Sequence, residues 1–80
     1  MAKEDRVIRE DEIGKGQRYT KVIVTSQEGA DQRYFVDRND PGQPLEEIGY
    51  NFTHRSHRVE PVSNPRIAAW LSSIPINQLL

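Results

Sequence analysis

The clearest pattern of hydrophobic and polar positions lies near the C-terminal end of the chain. Its apolar residues recur at the i, i+3, i+4 and i+7 spacing of one helix face; they are Ile67, Trp70, Leu71 and Ile74. Asn64 suits the N-cap and Pro65 the first helical position, while Pro75 stops the helical hydrogen-bond ladder. We therefore predict a helix over residues 65–73. A helix this short needs tertiary packing to be stable.

Two segments in the middle of the chain predict a β-hairpin. Residues 18–26 are rich in β-branched side chains, which suit a pleated and half-buried surface. Alternation places Val22 and Val24 on the same face of this strand. Residues 32–37 form a second strand after turn residues that include Gly29. We expect an antiparallel pair joined by a loop of about five residues.

A third strand is predicted after a turn. Residues 38–44 contain two prolines together with Gly, Asn and Asp, a composition typical of a turn. Beyond them, apolar residues alternate with small or polar ones, the apolar members being Ile48, Tyr50 and Phe52. This period of two predicts a strand over residues 47–59, with residues 54–58 as its polar, basic continuation.

The order of these elements predicts an α+β fold. A three-stranded antiparallel β-meander with one face covered by the short C-terminal helix is the simplest two-layer arrangement. Residues 17–80 form this single small domain. Residues 1–16 are rich in charge and poor in large aliphatic side chains, which predicts a flexible charged N-terminal arm. The alternative is a short edge strand at residues 6–9 that pairs onto the sheet.

Composition narrows the classes of function. The 80 residues include no cysteine, which excludes a disulfide scaffold, a cysteine-containing zinc site and a thiol nucleophile. The net charge of −1 argues against a general polyanion binder, whose surface is usually basic overall. No apolar run is long enough to span a bilayer, and the N-terminus lacks the apolar region of a secretory signal. We therefore predict a cytoplasmic protein without membrane association.

The C-terminal segment is the first candidate binding surface. The run from Ile67 to Leu80 has no charged side chain, in contrast to the charged remainder of the chain. Extra apolar surface at a chain end favours contact with another protein or with a second copy, as in a homodimer. The candidate protein-interaction residues are Trp70, Leu71, Ile76, Leu79 and Leu80. The alternative is that Trp70 and Leu71 are core residues that cover the sheet.

A second candidate surface combines aromatic and basic residues. Aromatic side chains that alternate on a strand and are followed by a basic run are typical of sheets that bind single-stranded nucleic acid. The candidate nucleic-acid residues are Tyr50, Phe52, His54, Arg55, His57 and Arg58. The alternative is structural: Tyr50 and Phe52 pack under the helix against Trp70, and the basic run is a solvated strand end.

The chain carries little that indicates catalysis. His54 and His57 lack a third ligand at a readable spacing, and positions i and i+3 of a strand point to opposite faces, so no metal site is predicted. Ser56 lies between them, but neighbours on a strand are poorly placed for a nucleophile–base hydrogen bond. Since no phosphate-binding or catalytic motif is present either, we expect neither an enzyme nor a cofactor.

The pattern as a whole favours a binding protein. A mixed-charge N-terminus, a small sheet, a terminal helix and no cysteine are typical of small bacterial or phage accessory proteins. The leading hypothesis is a small, non-enzymatic protein-binding or regulatory module that uses its apolar C-terminal surface. The alternatives are a nucleic-acid-binding domain and a structural subunit of a larger complex, and the sequence names no partner.

Overall fold

The computed structural model describes residues 6–75 and contains five strands, a short 3₁₀ helix and one α-helix. In chain order these are β1 (Arg6–Arg9), the 3₁₀ helix (Glu10–Glu12), β2 (Tyr19–Thr25), β3 (Asp31–Asp37), β4 (Asp40–Asn51), β5 (Ser56–Pro61) and α1 (Pro65–Ser72). The strands form one sheet in the order β1-β5-β4-β3-β2, and every neighbouring pair is antiparallel. Within residues 6–75, no helix has the length and apolarity needed to cross a bilayer.

The predicted class, a small α+β fold with one antiparallel sheet and one short helix, is confirmed. The predicted number of three strands was wrong. The predicted hairpin is present as β2 and β3, and the predicted helix as α1. The two additional strands come from regions that had been assigned differently. One is at the N-terminus, and the other arises because the predicted strand over residues 47–59 is divided by a turn.

The N-terminal segment is ordered from Arg6 onward, so the prediction of a flexible arm is wrong for that part. β1 pairs with β5, and this register places Ile8 opposite His57. Ile8 is only 1% exposed, which makes it part of the core rather than of a solvated arm. The alternative prediction of an edge strand at residues 6–9 is the correct one. Beyond the 3₁₀ helix, Ile13 forms an isolated bridge with Tyr19 and packs against the core.

Two turns differ from those that the sequence predicted. The chain reverses at Arg38 and Asn39 alone, because Asp37 already pairs with Asp40. A register shift between Phe35 and Asp37 interrupts the ladder beside the prolines of β4, and such irregularities tolerate proline in a strand. The second turn, residues 52–55, separates β4 from β5.

Residues 52–55 reverse the chain through specific local interactions. Asn51 Oδ1 accepts a hydrogen bond from the backbone N–H of His54 at 3.0 Å. Arg55 has a φ of 50°, the left-handed conformation that a non-glycine residue rarely adopts. The carbonyl of Arg55 accepts the N–H of Glu10 at 3.1 Å, which ties the 3₁₀ helix to this turn. The basic run therefore does not continue β4: residues 54 and 55 lie in the turn, and residues 56–58 belong to β5.

Apolar clusters lie on both faces of the sheet. Successive residues of β3 alternate between them, so Phe35 lies on one face and Val36 on the other. The first, called here the Phe35 face, contains Ile8, Tyr19, Phe35, Leu45 and Val59. The second, called the helix face, contains Tyr34, Val36 and Leu71, with Val22, Val24, Val62, Ile67 and Ile74 packed against them.

The helix follows its sequence signals closely. The side chain of Asn64 accepts hydrogen bonds from the backbone N–H groups of Arg66 and Ile67, at 2.9 and 3.2 Å. Pro65 occupies the first helical position. Leu71 is fully buried and anchors α1 on the sheet. Burial of a leucine side chain contributes about 1.5–3 kcal/mol, which compensates for the short length of the helix.

Candidate functional site

The polar residues at one end of the β4–β5 hairpin are sorted onto two faces by a bulge in β4. Glu47 pairs with Val59 and Tyr50 pairs with His57, but Ile48 has no partner on β5. The extra residue shifts the alternation, so that Glu47 and Tyr50 project from the same face although they are three positions apart. That face is the Phe35 face, because Val59 belongs to its core.

On the Phe35 face, four side chains form a connected cluster around a buried histidine. Nδ1 of His57 lies 2.5 Å from Glu47 Oε1, and its Nε2 lies 3.7 Å from Glu10 Oε2. The Tyr50 hydroxyl donates to the same Glu10 oxygen at 2.7 Å. We call Glu10, Glu47, Tyr50 and His57 the carboxylate–histidine cluster. Its polar groups bind mainly one another.

Packing and further polar contacts hold the cluster in place. The side chain of His57 is only 7% exposed, and its ring lies 5.0 Å from the Phe35 ring and 4.7 Å from the Tyr50 ring. Arg33 forms an ion pair with Glu47 at 3.5 Å. The histidine therefore sits between two carboxylates and two aromatic rings, an arrangement in which buried polar groups have partners.

The Tyr50–Glu10 hydrogen bond shifts the pKa of both groups. Donation from the Tyr50 hydroxyl lowers the pKa of Glu10, and nearby His57, Lys21 and Arg55 lower it further. The same bond raises the pKa of Tyr50, because the neutral hydroxyl is the donor. Near neutral pH, Glu10 is thus a carboxylate and Tyr50 remains protonated.

The helix face of the same hairpin end carries a different surface. Here Val7 and Arg9 of β1 lie beside Arg58 and Ser56 of β5, as the register requires. Together with the β4–β5 turn they border a groove of about 560 Å³. We call it the arginine groove; it is lined by Val7, Arg9, Asn51, Thr53, His54, Ser56 and Arg58. No carboxylate is among these lining residues.

The structure divides the predicted nucleic-acid residues among separate locations. Tyr50 and His57 belong to the carboxylate–histidine cluster, whereas His54 and Arg58 line the arginine groove. Phe52 is 85% exposed at the turn and meets only the edge of Tyr50, at a ring distance of 4.9 Å. Arg55 is exposed at the same turn.

The structural alternative for Tyr50 and Phe52 was wrong. Tyr50 and Phe52 were expected under the helix against Trp70, but Tyr50 lies on the Phe35 face through its pairing with His57. The helix packs on the opposite face. The bulge at Ile48 determines this placement, and alternation alone does not reveal it.

The predicted protein-interaction residues also separate. Leu71 is fully buried in the core, so it is not an interaction residue. Trp70 is 48% exposed on the outer side of α1. The expectation that both cover the sheet is therefore correct for Leu71, while Trp70 remains half open. The other three predicted residues, Ile76, Leu79 and Leu80, lie outside the described residues.

Sequence reasoning missed seven residues of these two sites, four of which carry charged or amide side chains. Glu10 and Glu47 complete the cluster, and Arg9 and Asn51 line the groove. Tyr50 and Glu10 are 40 positions apart in the chain, and only the pairing of β1 with β5 brings them together. The hydrophobic Val7 and Ile8 between two arginines were the one local signal for this strand.

Over the described range, residues 6–75, no group of three or more His, Asp or Glu side chains is arranged to hold a metal ion. Comparison with protein families, with curated proteins and with solved structures found no match to this chain.

Proposed function

We propose that this protein is a small, non-enzymatic protein-binding module whose contact surface is centred on Trp70. The observation that supports the proposal is that two neighbouring residues of α1 differ in their exposure. Leu71 is fully buried and docks the helix, whereas the neighbouring Trp70 is 48% exposed. About half of the Trp70 side chain is therefore not buried in the protein's own core.

The chemistry of this surface suits an apolar pocket on another protein. Tryptophan is enriched among the residues that dominate binding energy at interfaces, because it buries a large area with little loss of side-chain entropy. From Ile67 onward the chain contains no charged residue, and Arg66, one helical turn before Trp70, is the charged residue of α1. The proposed contact residues also include Ile76, Leu79 and Leu80. Identification of the partner would show which process the module regulates.

The non-enzymatic part of the proposal rests on the carboxylate–histidine cluster. His57 is the buried titratable group most suited to proton transfer, but both of its nitrogens face carboxylates of the protein itself. A general base needs a ring nitrogen within hydrogen-bond reach of a substrate proton. We therefore assign the cluster to the folding of the hairpin end rather than to chemistry.

Capture from host lysate tests the proposal. The tagged protein, Trp70→Ala and Phe52→Ala are incubated with nuclease-treated lysate of the protein's own host, and retained proteins are identified. Phe52→Ala is the matched control, because it also removes an exposed aromatic ring. We expect one defined protein to be retained by the wild type and the control and lost from Trp70→Ala.

Two further results complete this test. Deletion of residues 75–80 is expected to leave the domain folded and to weaken capture of the same protein. Equal retention by Trp70→Ala and Phe52→Ala would contradict the proposal. Retention of nothing but a second copy of the chain would replace the heterologous partner with a homodimer.

A further inference from the structure

The arginine groove contains two arginines that form no ion pair within residues 6–75, although Arg9 also borders a neighbouring pocket with Glu10 and Asp11. Across the part of the chain that the structure describes, the guanidinium groups of Arg9 and Arg58 form no ion pair or side-chain hydrogen bond. His54, at the rim of the groove, is exposed. The remaining lining residues are Val7, Thr53, Asn51 and Ser56, so none supplies a negative charge.

Arg58 is held in position by its neighbours in the sheet. It pairs with Val7 on one side and with Gly49 on the other. A Cβ at Gly49 would meet the Arg58 guanidinium, with Nη1 at 3.5 Å and Cζ at 3.8 Å. These are ordinary van der Waals distances, so the planar guanidinium packs over the Gly49 position of β4. The group is thus partly preorganised, which lowers the entropy cost of binding.

The floor of the groove adds neutral hydrogen-bond donors. Asn51 uses its Oδ1 to accept the N–H of His54, so its amide nitrogen is the atom left to donate. Ser56 is 8% exposed, and its hydroxyl makes no hydrogen bond within residues 6–75. One concave surface is therefore lined by two guanidinium groups, an imidazole, an amide and a hydroxyl.

We propose that the arginine groove binds a phosphate group. A phosphate offers several strong acceptor oxygens, and the fork of a guanidinium matches two of them at once. The same chemistry is offered by inorganic phosphate, by a small phosphoester and by the backbone of a single-stranded nucleic acid. Only the last is long enough to pass from the groove over the β4–β5 turn and stack a base on the exposed ring of Phe52, which lies against Tyr50 on the Phe35 face.

The proposal is tested with the full-length protein by NMR titration at fixed ionic strength. The two probes are inorganic phosphate and a short oligothymidine, and the variants are Arg9→Gln, Arg58→Gln and Phe52→Ala. Arg66→Gln is the matched control, because Arg66 is an exposed arginine on α1 that does not line the groove. The dispersion of the amide spectrum verifies that each variant is folded.

We expect shifts at Val7, Ser56 and the Nε–H groups of the two arginines on addition of a phosphate-bearing probe. Arg9→Gln and Arg58→Gln are each expected to weaken binding about tenfold, as the loss of one charge-assisted hydrogen-bonding group predicts. Arg66→Gln is expected to leave the affinity unchanged.

The outcomes separate the sources of the phosphate and include rejection. Binding of both probes without an effect of Phe52→Ala supports a small phosphate ligand. Selective binding of oligothymidine supports single-stranded nucleic acid as the ligand. In that case Phe52→Ala weakens the binding, and each arginine removed reduces the slope of log affinity against log salt concentration by about one. The proposal is overturned if neither probe binds, or if Arg66→Gln weakens binding as much as Arg58→Gln.

Discussion

The two faces of the β4–β5 hairpin end differ in whether their polar side chains have partners within the protein. On the Phe35 face, the carboxylate–histidine cluster pairs acids with a histidine and a tyrosine at distances of 2.5 to 3.7 Å. On the helix face, the arginine groove collects donors that have no acidic partner among its lining residues. Adjacent residues of β5, His57 and Arg58, belong to the two different surfaces.

This difference predicts a structural role for the cluster and, under the phosphate proposal, a binding role for the groove. A buried polar group that has its partner contributes to stability, and removal of one partner leaves the other unsatisfied. An exposed charge without a partner contributes little to folding and is available to a ligand. Substitutions on the Phe35 face should therefore change stability, and those in the groove should change binding.

The largest effect is expected where the cluster rests on the core. Phe35 is fully buried and packs against the His57 ring. Phe35→Ala should lower the free energy of unfolding by about 3–5 kcal/mol, through lost burial and the cavity left behind. Urea unfolding followed by Trp70 fluorescence measures it. Phe52→Ala removes the same ring at an exposed position and should change stability by less than about 0.5 kcal/mol; comparable losses would contradict the assignment of the core.

A smaller loss of stability is expected when Glu47, the partner of His57, is changed. Glu47→Gln keeps the shape but replaces the charge-assisted bond to His57 and the ion pair to Arg33, which should cost about 1.5–3 kcal/mol. Glu60→Gln is the control, because Glu60 lies opposite Glu46 and its neutralisation relieves like-charge repulsion. A larger loss for Glu60→Gln than for Glu47→Gln would show that the cluster is not stabilising.

The Tyr50–Glu10 hydrogen bond predicts a pH dependence of stability. Because the folded pKa of Glu10 lies below the ordinary value of 4.5, its contribution is complete above that pH and is lost as the pH falls through the folded pKa. Because the folded pKa of Tyr50 lies above 10.0, its contribution is complete below that pH and is lost as the pH rises through the folded pKa. Tyr50→Phe should remove the Tyr50 dependence, reduce that of Glu10 to the part due to His57, Lys21 and Arg55, and lower stability between the two pH limits. Unfolding curves from pH 2 to 11 test this, and identical profiles for variant and wild type would refute it.

The smallest effect concerns the turn that joins the two surfaces. Arg55 has a positive φ, a conformation that asparagine adopts more readily than arginine does. Arg55→Asn should therefore raise stability by about 0.5 kcal/mol, seen as a slightly higher Tm. Arg55→Val should lower the Tm, since a β-branched residue resists this conformation. A lower Tm for the asparagine variant would indicate that the Arg55 side chain itself supports the turn.

The helix and the β2–β3 hairpin could be predicted because their signals are local. Asn64, Pro65 and Pro75 mark the ends of α1 within the segment itself, and β-branched residues mark β2. β1 could not be predicted in this way, because four residues become a strand only through pairing with β5. The burial of Ile8 likewise depends on residues far along the chain.

The two surfaces were harder still to predict, because they depend on register. The bulge at Ile48 decides that Glu47 joins Tyr50, and no composition signal marks it. The basic run at residues 54–58 looked like one continuous surface. A turn with a positive φ at Arg55 separates residues 54 and 55 from β5. Within β5, the alternation of side chains places His57 and Arg58 on opposite sides of the sheet.

The most direct test of this account compares His57→Gln with Arg58→Gln in one urea unfolding experiment. The two residues are adjacent in β5 and differ in the face on which they lie. We predict that His57→Gln lowers the free energy of unfolding by about 2 kcal/mol, because it removes the short contact between His57 and Glu47 and leaves Glu47 with Arg33 alone. Arg58→Gln should stay within about 0.5 kcal/mol of the wild type. Equal losses, or a larger loss for Arg58→Gln, would contradict the division into a structural face and a binding face.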